Sequence, residues 1–155
     1  MIQQALKQLY IRDLKRLKVE IESYKDDATL WRTQGDITNS GGNLCLHLIG
    51  NLKTFMGNGL SDLGYIRQRD FEFSGKDVNR EELYTGIDET IDVISRGLDQ
   101  LTDEQLAGDF PIVIWKEATG MTYTLIHLHS HLNYHLGQIN YHRRMMDGNN
   151  LDKVL

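Results

Sequence analysis

Five of the chain's six histidines fall within "HLHSHLNYHLGQINYHRR", residues 127–144: His127, His129, His131, His135 and His142. Neutral imidazole is a ligand for zinc, nickel, copper and iron(II). Histidines crowded at regular spacing therefore raise metal binding as the first chemistry to consider; the alternative is a polar helix edge. On a helix turning about 100° per residue, His127, His131, His135 and His142 share one side, and His129 lies nearly opposite. Residues four apart have Cβ atoms roughly 6 Å apart, close enough for two imidazoles to converge on one ion. Two overlapping pairs qualify, His127 with His131 and His131 with His135. His142 is almost two turns past His135, out of reach of the same ion. A third ligand has to come from another element, and the sixth histidine, His47, is the one that remains. A single His-x-x-x-His pair is a weak signal by itself.

Other histidine chemistries fit less well. In zinc peptidases a glutamate follows the first histidine of such a pair as general base; here Leu132 follows His131. Di-iron bundles need Glu-x-x-His on two helices, and that pattern is absent from the sequence. No Ser-His-Asp or Cys-His hydrolase signature stands out. The single cysteine, Cys45, excludes an internal disulfide framework and a cysteine-rich zinc site. It sits about 200° around a helix from His47 and is expected to pack as a small hydrophobe, not to ligate. A net charge of −5 gives no electrostatic case for nucleic acid as partner.

These side chains need a scaffold. A length of 155 residues suggests one domain, residues 1–155, able to bury a core without disulfides. A single proline favours long helices, because proline breaks helix interiors. Leu6, Leu9, Tyr10, Leu14, Leu17 and Ile21 recur at helical spacing and predict a helix over 3–24. "KDDATLWRTQGDITNSGG" reads as a loop, with Trp31 as an anchor onto the core. Asn39 or Ser40 can cap a second helix running to about Met56, with Leu44, Leu48, Leu52 and Phe55 as its stripe and His47 beside it. Gly41 and Gly42 weaken its first turn and allow close approach of a neighbouring backbone or ligand. "GNGLSDLGYIRQRDFEFSGKDV" reads as a long glycine-bearing connection. Asn79 with Glu82 fits a capping box, and Val78 with Leu83 a hydrophobic staple, before a third helix with the stripe Leu83, Ile87, Ile91, Ile94 and Leu98. "LTDEQLAGDFPIVIWKEATGM" breaks the pattern, with a short extended piece expected around Ile112–Trp115. The fourth helix spans about Thr122 to Met146, with Leu125, Leu128, Leu132, Leu136 and Ile139 as its apolar stripe. "DGNNLDKVL" is a polar tail. The expected fold is all-α, a four-helix bundle with two long connections. The first residues lack a signal-peptide pattern and no apolar run reaches the ~18 residues of a membrane span, so the cytoplasm is the expected compartment and no membrane partner is expected.

"SHLNYHLGQINYHRR", with His131, His135, Gly137, Gln138 and Ile139, resembles the last helix of the DinB/YfiT-like superfamily of candidate metalloenzymes, where His-x-x-x-His is followed closely by Gly-Gln-Ile. "NSGGNLCLHLIGNL" is similar to that superfamily's second helix, with His47 in the place of its histidine. The resemblance extends over most of the chain, including "RDFEF" and the third helix. It implies a DinB/YfiT-like four-helix bundle, commonly a homodimer, holding one divalent metal on three histidines. Carried over by position, these are His47, His131 and His135, the second of the two overlapping pairs. Zinc or nickel is the implied ion, with iron or manganese as alternatives. His127 and His129 are not features of the resemblance; His127 would stand behind a ligand or at the rim, and His142 would pack or lie exposed.

Some relatives implied by the resemblance use a low-molecular-weight thiol, conjugating it to electrophiles or isomerising with it. The leading expectation is thus a metal-dependent thiol S-transferase acting on a small-molecule substrate. The alternatives are a non-catalytic metal- or ligand-binding bundle with a sensory or structural role, and a hydrolase using metal-bound water. Arg143 and Arg144 could meet an anionic thiol's carboxylates, although a solvated basic last turn complementing the helix dipole is the simpler expectation. Tyr134 and Tyr141 could donate hydrogen bonds in the pocket, but packing is the simpler expectation for them as well. No residue other than the histidines stands out as a general acid or base.

Overall fold

The computed structural model describes residues 2–148, and these form helices with no named strand among them. Residues 149–155 of the expected polar tail lie outside the described residues. Helix α1 spans Ile2–Glu22. Its expected stripe is fully buried at Tyr10, Leu14, Leu17 and Ile21, each worth about 1.5–3 kcal/mol of transfer free energy if aliphatic. The loop expected over 25–42 contains a single helical turn, α2, Asp27–Leu30, because Asp26 Oδ1 caps the Thr29 N–H at 2.7 Å. Trp31 is buried, as its anchoring role required.

Helix α3, Gly41–Leu52, begins at Ser40, whose hydroxyl oxygen accepts the Asn43 N–H at 3.1 Å. The two glycines do permit a close approach, but by side chains and not by backbone or ligand. A Cβ at Gly41 would collide with the Tyr24 hydroxyl, and one at Gly42 with the Trp31 ring. After Leu52 the helix widens into a π-helical segment, Lys53–Asn58, where the Thr54 hydroxyl donates to the Gly50 carbonyl at 2.6 Å. Such segments frequently occur near functional sites.

The stretch expected to be an irregular connection is partly helical: α4, Gly59–Ser61, and α5, Arg69–Ser74. The sequence conceals α5 because its fixing bonds are non-local. Asn43, in the first turn of α3, donates through Nδ2 to the carbonyls of Glu72 at 3.1 Å and Gly75 at 2.7 Å, clamping α5 onto α3.

Helix α6, Arg80–Gln100, starts at Asn79 as expected, but the Asn79 side chain caps the Glu81 N–H at 2.8 Å and the box with Glu82 is not closed. The second break holds helix α7, Asp103–Ala107, closed by a Thr102/Gln105 capping box. The extended piece expected at Ile112–Trp115 does not form. Burial does alternate there, with Ile112 and Ile114 against the core and Val113 and Trp115 outward. Among the described residues no strand lies alongside to complete a ladder, and the loop is instead cinched at its base by the Asp109–Gly120 bridge.

Helix α8, Met121–Asp147, is the longest. α1 packs on α6 and α8, and α3 packs on α8, α6 and α5. The buried side chains of these four long helices join in one core. Cys45 belongs to it, fully buried, with its thiol pKa raised by desolvation. It packs as a hydrophobe, as expected. No helix among the described residues is long and apolar enough to cross a membrane.

Candidate metal centre

The contact of α3 with α8 brings His47 to the His131/His135 pair, and one ligand atom from each lies within 4.8 Å of the others. This group could hold a metal ion. Nε2 of His131 is 3.3 Å from Nε2 of His47 and 3.1 Å from Nε2 of His135. Ligands about 2.0 Å from a tetrahedral ion are separated by about 3.3 Å, so the spacing matches a coordination edge.

Partners on the far side of two rings decide which nitrogens face inward. Nδ1 of His47 is 2.9 Å from Glu72 Oε1. The carboxylate can only accept, so Nδ1 carries the proton and Nε2 is left with a lone pair. Nδ1 of His135 likewise donates to Gln138 Oε1 at 2.7 Å. Nδ1 of His131 is buried with no hydrogen-bond partner among the described residues. One proton on His131 Nε2 could serve one neighbour but not both. A cation satisfies three converging lone pairs at once, and the donor set therefore fits a divalent metal.

The electrostatics favour the neutral, ligating form. Burial lowers the His131 pKa to about 4, helped by repulsion from His135 and His47. Burial also lowers His135, against the opposing hydrogen bond to Gln138. Glu72 is held ionised: burial pushes its carboxyl up, but hydrogen bonds from Arg67 and His47 outweigh this and leave it below the usual range. Arg67 forks onto Glu72, Nε to Oε2 at 2.8 Å and a terminal nitrogen to Oε1 at 2.7 Å. Gly50, one turn beyond His47 on α3, makes room for this carboxylate, because a Cβ there would collide with Glu72 Oε2.

The remaining histidines have other surroundings. His127 is exposed, its ring against Trp115 at 4.7 Å between centroids and 89° between planes. His129 faces α1, where Nε2–H donates to the buried Asp13 Oδ2 at 2.9 Å beside a 2.9 Å bond from Asn133. His142 is buried. Its Nε2–H donates to the Arg32 carbonyl at 2.8 Å, so Nδ1 accepts from the Tyr24 hydroxyl at 2.6 Å. Arg143 is paired with Glu20 at 2.7 Å, and Arg144 lies over the Tyr141 ring. Tyr134 and Tyr141 do not pack into the core as expected; both are exposed, off the core stripe of α8.

Sequence reasoning passed over Glu72, Arg67 and the role of Gln138. "RDFEF" and the glutamine after Gly137 were visible, but nothing in the spacing says that α5 folds back onto α3.

A family model described as "Protein of unknown function (DUF1572)" matches residues 3–154. No curated protein matches the sequence. Among solved structures, a conserved protein from Enterococcus faecalis is similar, with a TM-score of 0.76 at 15% identity over 96% of this chain and 98% of that one. That likeness shows a shared fold.

Proposed function

The chain belongs to the DUF1572 family of proteins of unknown function, and within it we propose a divalent-metal protein with a DinB/YfiT-like four-helix bundle whose ligands are His47, His131 and His135. The observation that carries this reading is the convergence of three Nε2 atoms, two of them left unprotonated by Glu72 and Gln138. Zinc or nickel suits three neutral imidazoles. The family supplies no reaction.

Of the reactions compatible with such a site, we favour a thiol-dependent S-transfer to a small-molecule electrophile. A bound divalent ion would supply Lewis acidity, stabilising a thiolate or polarising an oxygen at the position the three histidines leave open. The protein's own part is positional. Glu72 and Gln138 hold two rings in one tautomer, Arg67 keeps Glu72 charged, and the core beneath His131 excludes water from one side. A homodimer in the cytoplasm is the accompanying proposal.

A second reading is a metal-binding protein without catalysis. It is favoured by one observation: the carboxylate in contact with the triad, Glu72, is already engaged by Arg67 and His47 and is not free to act as a general base.

Metal analysis of protein purified without a tag tests the site, with roughly one equivalent of divalent ion expected. Metal content unchanged by His47→Ala, His131→Ala and His135→Ala would remove the assignment. A screen of low-molecular-weight thiols with a chromogenic electrophile, on metal-loaded protein, separates the two readings: turnover supports the transferase, and no turnover with any thiol supports the binding protein.

A further inference from the structure

Aromatic rings lie against two imidazoles of the triad, and others stand one turn before the third. Phe73 lies against His47, 4.9 Å between centroids and tilted by 35°. Tyr134 meets His135 edge-on at 5.3 Å and 76°. One turn before His131, His127 carries Trp115 at 4.7 Å and Tyr123 at 6.4 Å, the latter stacked at 23°. Trp115 is 40% exposed, Tyr123 62% and Tyr134 66%. These rings are not part of the core, and leaving them in water forgoes the burial that usually decides where such side chains go.

Arg67, the cation in contact with the His47–Glu72 pair, is forked onto Glu72. Arg69 lies over the Phe73 ring at 5.2 Å and adds a flat guanidinium to the aromatic surround. A flat conjugated group would find ring faces there.

We infer that the triad takes substrates with an aromatic or conjugated group, held on Trp115 and Tyr134 at the rim of the site. This inference rests on the metal reading above. His127, one turn before His131, is then the support against which Trp115 stands, which gives it a role outside the ligand set. Trp115 and Tyr134 are positioning residues for the substrate.

Two hydroxamates that ligate zinc through the same head group provide the probe, benzohydroxamate and acetohydroxamate, titrated into zinc-loaded protein whose metal content is measured in the same sample. A ring laid on an aromatic face gains about 1 kcal/mol, roughly fivefold in affinity. Benzohydroxamate should therefore bind about fivefold tighter than acetohydroxamate, after correction for their affinities for zinc in water. It should also quench the fluorescence of Trp115, identified as the signal lost in Trp115→Leu. In Trp115→Leu and Tyr134→Leu the preference should shrink. A corrected preference absent from the native protein, or unaltered in both variants with zinc retained, overturns the inference. Failure to retain zinc in the native protein overturns the metal reading itself, and the inference falls with it.

Discussion

Glu72 accepts the Nδ1–H of His47 at 2.9 Å, and that bond decides which nitrogen of His47 faces the other two imidazoles. A carboxylate behind a histidine ligand fixes the tautomer and raises the basicity of the ring, and its loss commonly costs 10–100-fold in metal affinity. Glu72→Gln retains a neutral acceptor for His47 but leaves Arg67 without its ion pair. The expected result is about tenfold weaker zinc binding with the helical content preserved, read by competition against a chelating dye and by circular dichroism. Native affinity in the variant would show that Glu72 supports the fold alone.

Gly50 gives an independent approach to the same contact. In a helix interior, glycine to alanine ordinarily adds about 1 kcal/mol of stability. Here the added methyl would occupy the place of the Glu72 carboxylate, so Gly50→Ala should weaken zinc binding by about the same factor as Glu72→Gln. The two together should do little more than either, since both act on one contact. A double-mutant cycle in zinc affinity measures this, and simple additivity would count against the shared mechanism.

The long helices were legible because burial imposes a period, and Leu14, Leu48, Ile94 and Leu132 all lie where that period put them. The His47 helix start was readable from Ser40, whose cap is local. Helix α5 was not, because it is held by Asn43, about thirty residues away in sequence, and a six-residue helix has no period of its own. The same limit hid the partners of the histidines. Their crowding reflects separate tasks: His129 answers Asp13 on α1, His142 answers Tyr24 and Arg32, His127 supports Trp115, and His131 and His135 face His47. Helix geometry could separate their directions but could not say what stood opposite each one.

Asp13 ties α1 to α8 and should make the fold sensitive to acid. Its carboxyl is fully buried. Burial alone would raise its pKa, but hydrogen bonds from Arg12, Asn133 and His129 outweigh this and lower it to about 2. A carboxyl depressed in the folded state contributes stability that is complete above its unfolded pKa and is lost as pH falls through the folded one. The window is therefore from about pH 4 down to about 2, and the contribution above it is about 2 kcal/mol. Asp13→Asn should be less stable than the native protein at pH 7 and should lack this part of the acid dependence. Urea denaturation across the pH range tests it, and parallel curves would assign the acid loss to other groups.

The triad should keep its metal into mildly acidic solution. Proton competition weakens a histidine site only once its ligands begin to protonate. An exposed histidine does so near pH 6.5, whereas burial and the neighbouring imidazoles hold His131 down at about 4, and burial lowers His135 in the same direction. As far as His131 governs it, affinity should hold through the range in which an exposed histidine protonates and fall as the pH approaches about 4, with His135 acting in the same direction. Equilibrium dialysis with zinc at stepped pH, with metal content read by mass spectrometry, measures the profile. Because burial favours neutral His131 and His135 and the apolar core does not include the triad, chelation at pH 7 should leave the helices intact and lower only the melting temperature, as expected when a ligand that binds the native state is withdrawn. Loss of half the zinc near pH 6.5 would instead mean that the burial of His131 does not govern the site.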